Sequence, residues 1–253
     1  MGSRMSATSG ACAYPYTSRD LLEQPERYMY SDCFGEAFVR DYLAARRTLL
    51  EELTDRYAAA ARAPEARQPD TEVVAVWEAL AGRSSEAPWP RIRALHRRGV
   101  GGDGRRSTSD GRWWDGVEAA ATVSTEDLLR AGLLAALDGA RDLEPRAVAW
   151  LDRFVRQFEV TRRLHARYTA AMKPTGEEFG RLTHYALLSL SAVLVHERTG
   201  RWPLLNAALK LNDLLCSCQE RLCEPGEMLL TMLALWKELQ VVSRLAATHE
   251  VLQ

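Results

Sequence analysis

The chain has 253 residues, 47% of them apolar, and 33 basic residues against 34 acidic ones, for a formal net charge of -1. This length accommodates one large domain or one domain with an appendage, and the apolar share can build a sizeable core. The near-neutral charge exerts no global pull on nucleic acid or an anionic membrane, and no apolar run reaches membrane-spanning length.

Only three basic residues are Lys: Lys173, Lys210 and Lys237. With the abundance of Ala, that bias is expected of GC-rich bacterial codon usage. The five Cys, an odd number with no secretory signal, read as free thiols of a reduced, cytoplasmic protein. Met1 to Arg4 reads as a cloning remnant ahead of a start at Met5.

In chain order, residues 1–17 lack periodicity and are expected to form a loose tail. A short helix is expected from Arg19 to Gln24, before Pro25. From Gly35 to about Arg62, Phe38, Tyr42, Ala45, Leu49, Leu53 and Tyr57 recur every three or four residues, the spacing of an amphipathic helix. Thr71 is expected to cap a second helix, with Val74, Trp77 and Leu80 as its face, ending at Gly82. Residues 83–112 then carry eight Arg against Glu86, Asp103 and Asp110. Pro88 and Pro90 open a short helical piece, and the Gly- and Ser-rich run Gly99 to Arg112 is expected to be flexible. It reads as a solvated loop or as a lid over an anionic ligand. Its glycines lack the G-K-[ST] of a P-loop. Trp113 and Trp114 read as a core anchor or a pocket wall.

Ser124 to Asp127 resembles a capping box, and Leu128, Leu129, Leu133, Leu134 and Leu137 continue a helix to Gly139. Pro145 suits the first turn of the next helix, expected to run to about Met172 before Pro174. Thr175 and Glu178 form a second capping-box pattern ahead of the stretch from Phe179 to His196. That stretch is apolar nearly all round, so it is expected to be buried. Gly200 and Pro203 then make a tight hairpin into a helix ending at Glu224 to Gly226. A last helix, Glu227 to about His249, presents Met228, Leu229, Met232, Leu235, Trp236, Leu239 and Val242 inward.

The predicted fold is all-α. It is a single antiparallel helical bundle-like domain, of about seven helices, around a central helix at about 179–198. The domain spans 18–253, with the Arg/Gly-rich loop at about 83–112.

The helix from Pro145 carries the first candidate chemistry. Its stripe Leu151, Phe154, Val155 and Phe158 continues as Thr161, Arg162, His165 and Thr169. Buried Arg and His are costly unless paired, so these residues are expected to line a pocket or to meet acids. Tyr185, Ser189, Ala192 and His196 form a polar face on the central helix. Together the two faces would assemble a cavity in which Arg162, Ser189, Thr161 and Thr169 bind a small anion. His165, His196 and Tyr185 would supply acid-base chemistry there. The contrary reading is a solvated helix end, with His196 favoured near a helix C-terminus. Cys216, Cys218 and Cys223 do not have zinc spacing and read as buried free thiols. No nucleophile elbow, HExxH or dinucleotide fingerprint is present.

Two stretches carry resemblances. The run from His196 to Leu215 resembles a helix hairpin of α/α-toroid and helical-repeat proteins. Asn212, Asp213, Cys216 and Glu220 resemble the second metal motif of class I terpene synthases. That likeness implies magnesium held by Asn212, residue 216 and Glu220, and a prenyl diphosphate substrate. Cys replaces the motif's hydroxyl residue at position 216, and the family's aspartate-rich first motif is absent.

The function expected is a helical enzyme or enzyme-like binding protein of bacterial specialised metabolism. Its central pocket would hold a small anionic or phosphorylated molecule, with no reaction or cofactor specified. The alternatives are a non-catalytic helical partner of a biosynthetic enzyme and a magnesium-dependent prenyl diphosphate cyclase. A membrane or nucleic-acid partner is not expected, while a protein partner or a homo-oligomer fits either reading. An enclosed cavity would favour the enzyme; polar groups lying flat beside exposed apolar ones would favour the partner.

Overall fold

The computed structural model describes residues 36–62, 69–96, 122–127, 129, 133, 145–169 and 171–252. The expectations for the tail, the helix at 19–24, the Gly-rich run, Trp113 and Trp114 lie outside these residues, as does most of the run 128–139. Among the described residues the fold is all-α: α1 (Glu36–Ala60), α2 (Thr71–Leu80), α3 (Trp89–His96), α4 (Pro145–Thr161), α5 (Leu182–Thr199), α6 (Trp202–Ser217) and α7 (Pro225–Leu252). Two short strands, β1 (Val123–Ser124) and β2 (Arg167–Tyr168), form one antiparallel pair, an addition to the helices expected from sequence.

Helix α5 is the centre. Every residue from His184 to Val195 is buried, and His196 with them. Helices α4, α6 and α7 pack against it, while α1 and α2 pack against α7. A helix with no polar face must be enclosed in this way. Gly200 closes α5 in the left-handed region (φ 67°), its N–H donating to the His196 carbonyl at 2.8 Å. This conformation suits glycine. Pro203 then falls in the first turn of α6, so α5 and α6 form the expected hairpin.

Helix α1 buries Tyr42, Leu49, Leu53 and Tyr57. The last helix buries all seven residues assigned inward. Helix α2 differs: Asp70 is its N-cap residue, and Val73, Val76 and Trp77 are its buried side chains, with Val74 and Leu80 only half-buried.

The largest departure is α4, which ends at Thr161, about one helix length of eleven residues short of Met172. Arg162 turns to φ 57°, and the chain continues irregularly to Arg181. Leu164 and Tyr168 lie off the stripe of α4, so a continued helix would point them outward while driving Arg162 and His165 inward. Breaking the helix reverses this: Leu164 and Tyr168 are fully buried and Arg162 is exposed. The segment folds back on itself through the pairings His165 with Phe179 and Tyr168 with Pro174. At Gly180 the strands approach so closely that a Cβ would sit 3.1 Å from the Leu164 Cβ and 2.9 Å from the His184 Nδ1.

The start of α5 also moves. Thr175 and Glu178 do not cap it; the N-cap residue is Arg181, whose N–H donates to His184 Nδ1 at 3.1 Å. Helix α6 stops at Ser217 rather than running to Glu224, and a short 3-10 turn (Gln219–Arg221) follows.

Candidate functional site

The expected pocket residues do not share one cavity. Thr161 and Arg162 are exposed where α4 ends. The Thr161 hydroxyl donates to the Gln157 carbonyl at 2.8 Å, and the Arg162 guanidinium lies 5.7 Å from the Phe158 ring centre. His165 is half-buried beside the Tyr168 and Phe179 rings. Thr169 accepts the Lys173 N–H at 3.2 Å. Tyr185 is buried, and its hydroxyl accepts the Leu164 N–H at 3.0 Å, so it serves the backbone of the broken helix. His196 sits at the far end of α5, its Nδ1 3.1 Å from the Arg201 carbonyl and its ring beside Trp202. Eleven residues of helix, about 16 Å, separate it from Tyr185. The expectation that Arg162 and His165 would be buried against the central helix is therefore corrected. It assumed an unbroken α4.

Ser189 belongs to a different assembly, the main polar cluster of the core. Tyr42 and Arg46 stand one turn apart on α1. Asn212, Asp213 and Cys216 stand on α6, Glu238 on α7 and Ser189 on α5. The Tyr42 hydroxyl and Asn212 Nδ2 donate to the two oxygens of Glu238. Arg46 Nε donates to Glu238 Oε1 at 3.0 Å, Nη1 to Cys216 Sγ at 2.7 Å, and Nη2 to Asp213 Oδ1. Ser189 Oγ donates to Asn212 Oδ1 at 2.7 Å. Glu238 is fully buried, the Arg46 side chain is 6% exposed, and Asp213, at 31%, reaches the surface.

Charge at this depth persists only when neutralised and hydrogen-bonded. Burial holds Glu238 above the usual carboxylate range, although Arg46, Tyr42 and Asn212 all pull it down. Burial also keeps the Tyr42 phenol well above its ordinary value, so it remains neutral and donates. For Arg46, burial opposes the charge but the surrounding Tyr42, Glu238, Cys216 and Asp213 outweigh it, leaving the guanidinium firmly protonated.

The sequence held a signal for this cluster. Arg46 falls between Tyr42 and Leu49 on the apolar stripe of α1, Asn212 between Ala208 and Leu215 on that of α6, and Glu238 between Leu235 and Val242 on that of α7. A charged or amide residue in the middle of an apolar stripe marks a buried polar partner.

A separate cavity of about 120 Å³ opens where α2, α5 and α7 begin, lined by Asp70, Glu126, Arg181, Thr183, Glu224 and Glu227 among others. His184 Nε2 lies 3.6 Å from Glu126 Oε2. Thr183 donates to Glu227 at 3.2 Å, yet burial raises the Glu227 carboxyl. Helix starts favour negative charge, which accounts for these acids. The lining is opposite in sign to what an anionic ligand requires.

No family model, curated protein or solved structure matches the chain. Its chemistry is therefore read from its own side chains. The three residues resembling a terpene-synthase metal motif do not form one helical row. Asn212 is bonded to Ser189 and Glu238, Cys216 faces Arg46, and Glu220 is exposed on the 3-10 turn beyond α6. The cysteines differ as well: Cys216 is buried, Cys218 half-buried and Cys223 exposed, and no group of three or more His, Cys, Asp or Glu suited to a metal occurs among the described residues. No helix among these residues is long and apolar enough to cross a membrane.

Proposed function

We propose that the protein is a non-catalytic helical partner protein, which acts by docking onto another protein through the outer end of α4 and the irregular segment that follows it. One observation carries this reading. Val160, 84% exposed, and Phe179, 52% exposed, stand beside the exposed Arg162 and Arg163. The Arg163 guanidinium lies 5.1 Å from the Phe179 ring centre. Large apolar side chains grouped with Arg are typical of protein-recognition surfaces. The interior supports the same reading: Ser189, Asn212, Arg46 and Glu238 satisfy one another.

The test is a peptide-display library of defined sequences panned on the full chain. Val160→Asp/Phe179→Asp serves as the comparison protein, since both side chains are exposed and their loss leaves the core intact. Most selected sequences are expected to bind the wild type at least tenfold more tightly than this variant. Selected sequences that bind both proteins equally would place docking elsewhere and end the proposal.

A further inference from the structure

The charges along α4 and at its outer end differ in how they are paired. Its acids are engaged: Asp152 pairs with Arg201 at 2.7 Å and Glu159 with Lys210 at 3.4 Å. Arg156 and Val160 are exposed one turn apart. Arg162 and Arg163 are exposed in the turn that follows, and Arg167 and Lys173 are exposed on the segment that folds back after it. Among the described residues, no carboxylate lies within ion-pair distance of Arg156, Arg162 or Arg163. Arg162 and Arg163 instead lie over the rings of Phe158 and Phe179. The end of α4 and the segment after it thus expose two large apolar side chains, Val160 and Phe179, together with arginines that have no carboxylate partner among the described residues.

We infer that the occupant of this surface is an acidic segment of a partner protein, with one or two apolar side chains that seat on Val160 and Phe179. The inference rests on the docking reading above and adds the partner's chemistry. Two exposed acids, Glu177 and Glu178, lie on the same folded-back segment. Their negative charge disfavours a continuous polyphosphate backbone more than a short peptide whose acids are spaced apart. Complementary charge of this kind speeds encounter and fixes register, and it makes binding salt-dependent.

The test measures fluorescence anisotropy of the full chain with labelled twelve-residue peptides: Glu/Asp-rich with a central Leu-Phe pair, its Lys-rich counterpart, and a neutral Ser/Gln-rich counterpart with the same pair. A single-stranded RNA of the same length is measured alongside. The acidic peptide is expected to bind at least tenfold more tightly than the other three and to weaken at least fivefold between 50 and 200 mM salt. Arg156→Glu/Arg163→Glu should lose the acidic peptide by at least tenfold and gain the Lys-rich one. Tighter binding of the RNA, equal binding of the acidic and neutral peptides, or indifference to the charge reversal would overturn the inference. The docking reading fails separately. If the neutral peptide binds and Val160→Asp/Phe179→Asp abolishes it, docking stands and the acidic partner falls. If no peptide distinguishes that variant from the wild type, both fall.

Discussion

Replacing Arg46 with Met removes the cation that pulls the Glu238 carboxyl down, so this fully buried group must hold an unpaired charge or take up a proton. Breaking a buried pair by deleting one partner costs about 3–5 kcal/mol. Tyr42 and Asn212 would still donate to the remaining carboxylate, which places the cost at the lower end, about 3 kcal/mol. The Arg46–Asp213 contact adds little, because Asp213 is nearly a third exposed and pairs of that kind are worth about 0–1 kcal/mol. Against a typical domain stability of about 5–15 kcal/mol, the loss is readily measured by urea unfolding at pH 7, with an unchanged m-value showing that only stability moved. The companion variant is Arg46→Met/Glu238→Gln, in which the buried charge disappears along with its partner. Its loss should fall short of the sum of the two single losses by more than about 1 kcal/mol. Additive losses, or an Arg46→Met variant within about 1 kcal/mol of wild type, would show that the buried charges are not coupled and would refute the reasoning.

Three further outcomes follow from the geometry. Because burial raises Glu238 in the folded state, its protonation adds stability that is complete below the ordinary carboxylate pKa and fades as pH rises through the folded value. The thermal-unfolding margin of wild type over Glu238→Gln should therefore shrink from about pH 4 to pH 7; a margin that widens would reverse the assigned direction. Tyr185→Phe leaves the Leu164 N–H without its acceptor and should cost about 1–3 kcal/mol in chemical denaturation, whereas a change under half that range would show that the hydroxyl does not hold the broken end of α4. Gly200→Ala forces a Cβ into the left-handed region at φ 67° and should lower stability by about 1 kcal/mol; an unchanged melting temperature would contradict this geometry.

Most of the architecture was legible because it rests on periodicity. The stripe Leu49, Leu53 and Tyr57, the apolar run of α5 and the Gly200–Pro203 hairpin each leave a local mark on the sequence, and each is where that mark places it. The end of α4 was not legible in the same way. No Gly or Pro stops it at Thr161, and the decision is made by Leu164 and Tyr168, which gain burial only if the helix breaks. That gain comes from tertiary contacts, which a stripe count does not include. The site expectation inherited the error, since Arg162 and His165 faced inward only on an unbroken helix. The buried cluster was missed for another reason. Arg46, Asn212 and Glu238 were each visible as polar residues within apolar stripes, but the sequence alone does not say which of three distant helices bring them together.

The link between Arg46 and Glu238 spans 192 residues of chain. On a ribosome adding about 5–20 residues per second, Glu238 is made roughly 10–40 s after Arg46. Throughout that interval α1 has no carboxylate from α7 for its guanidinium and no α7 surface for Leu49, Leu53 and Tyr57, which the finished protein buries. The first helix of the described fold to leave the ribosome is thus among the last to find its place. In the cell, α1 is the segment for which nascent-chain chaperones should matter most.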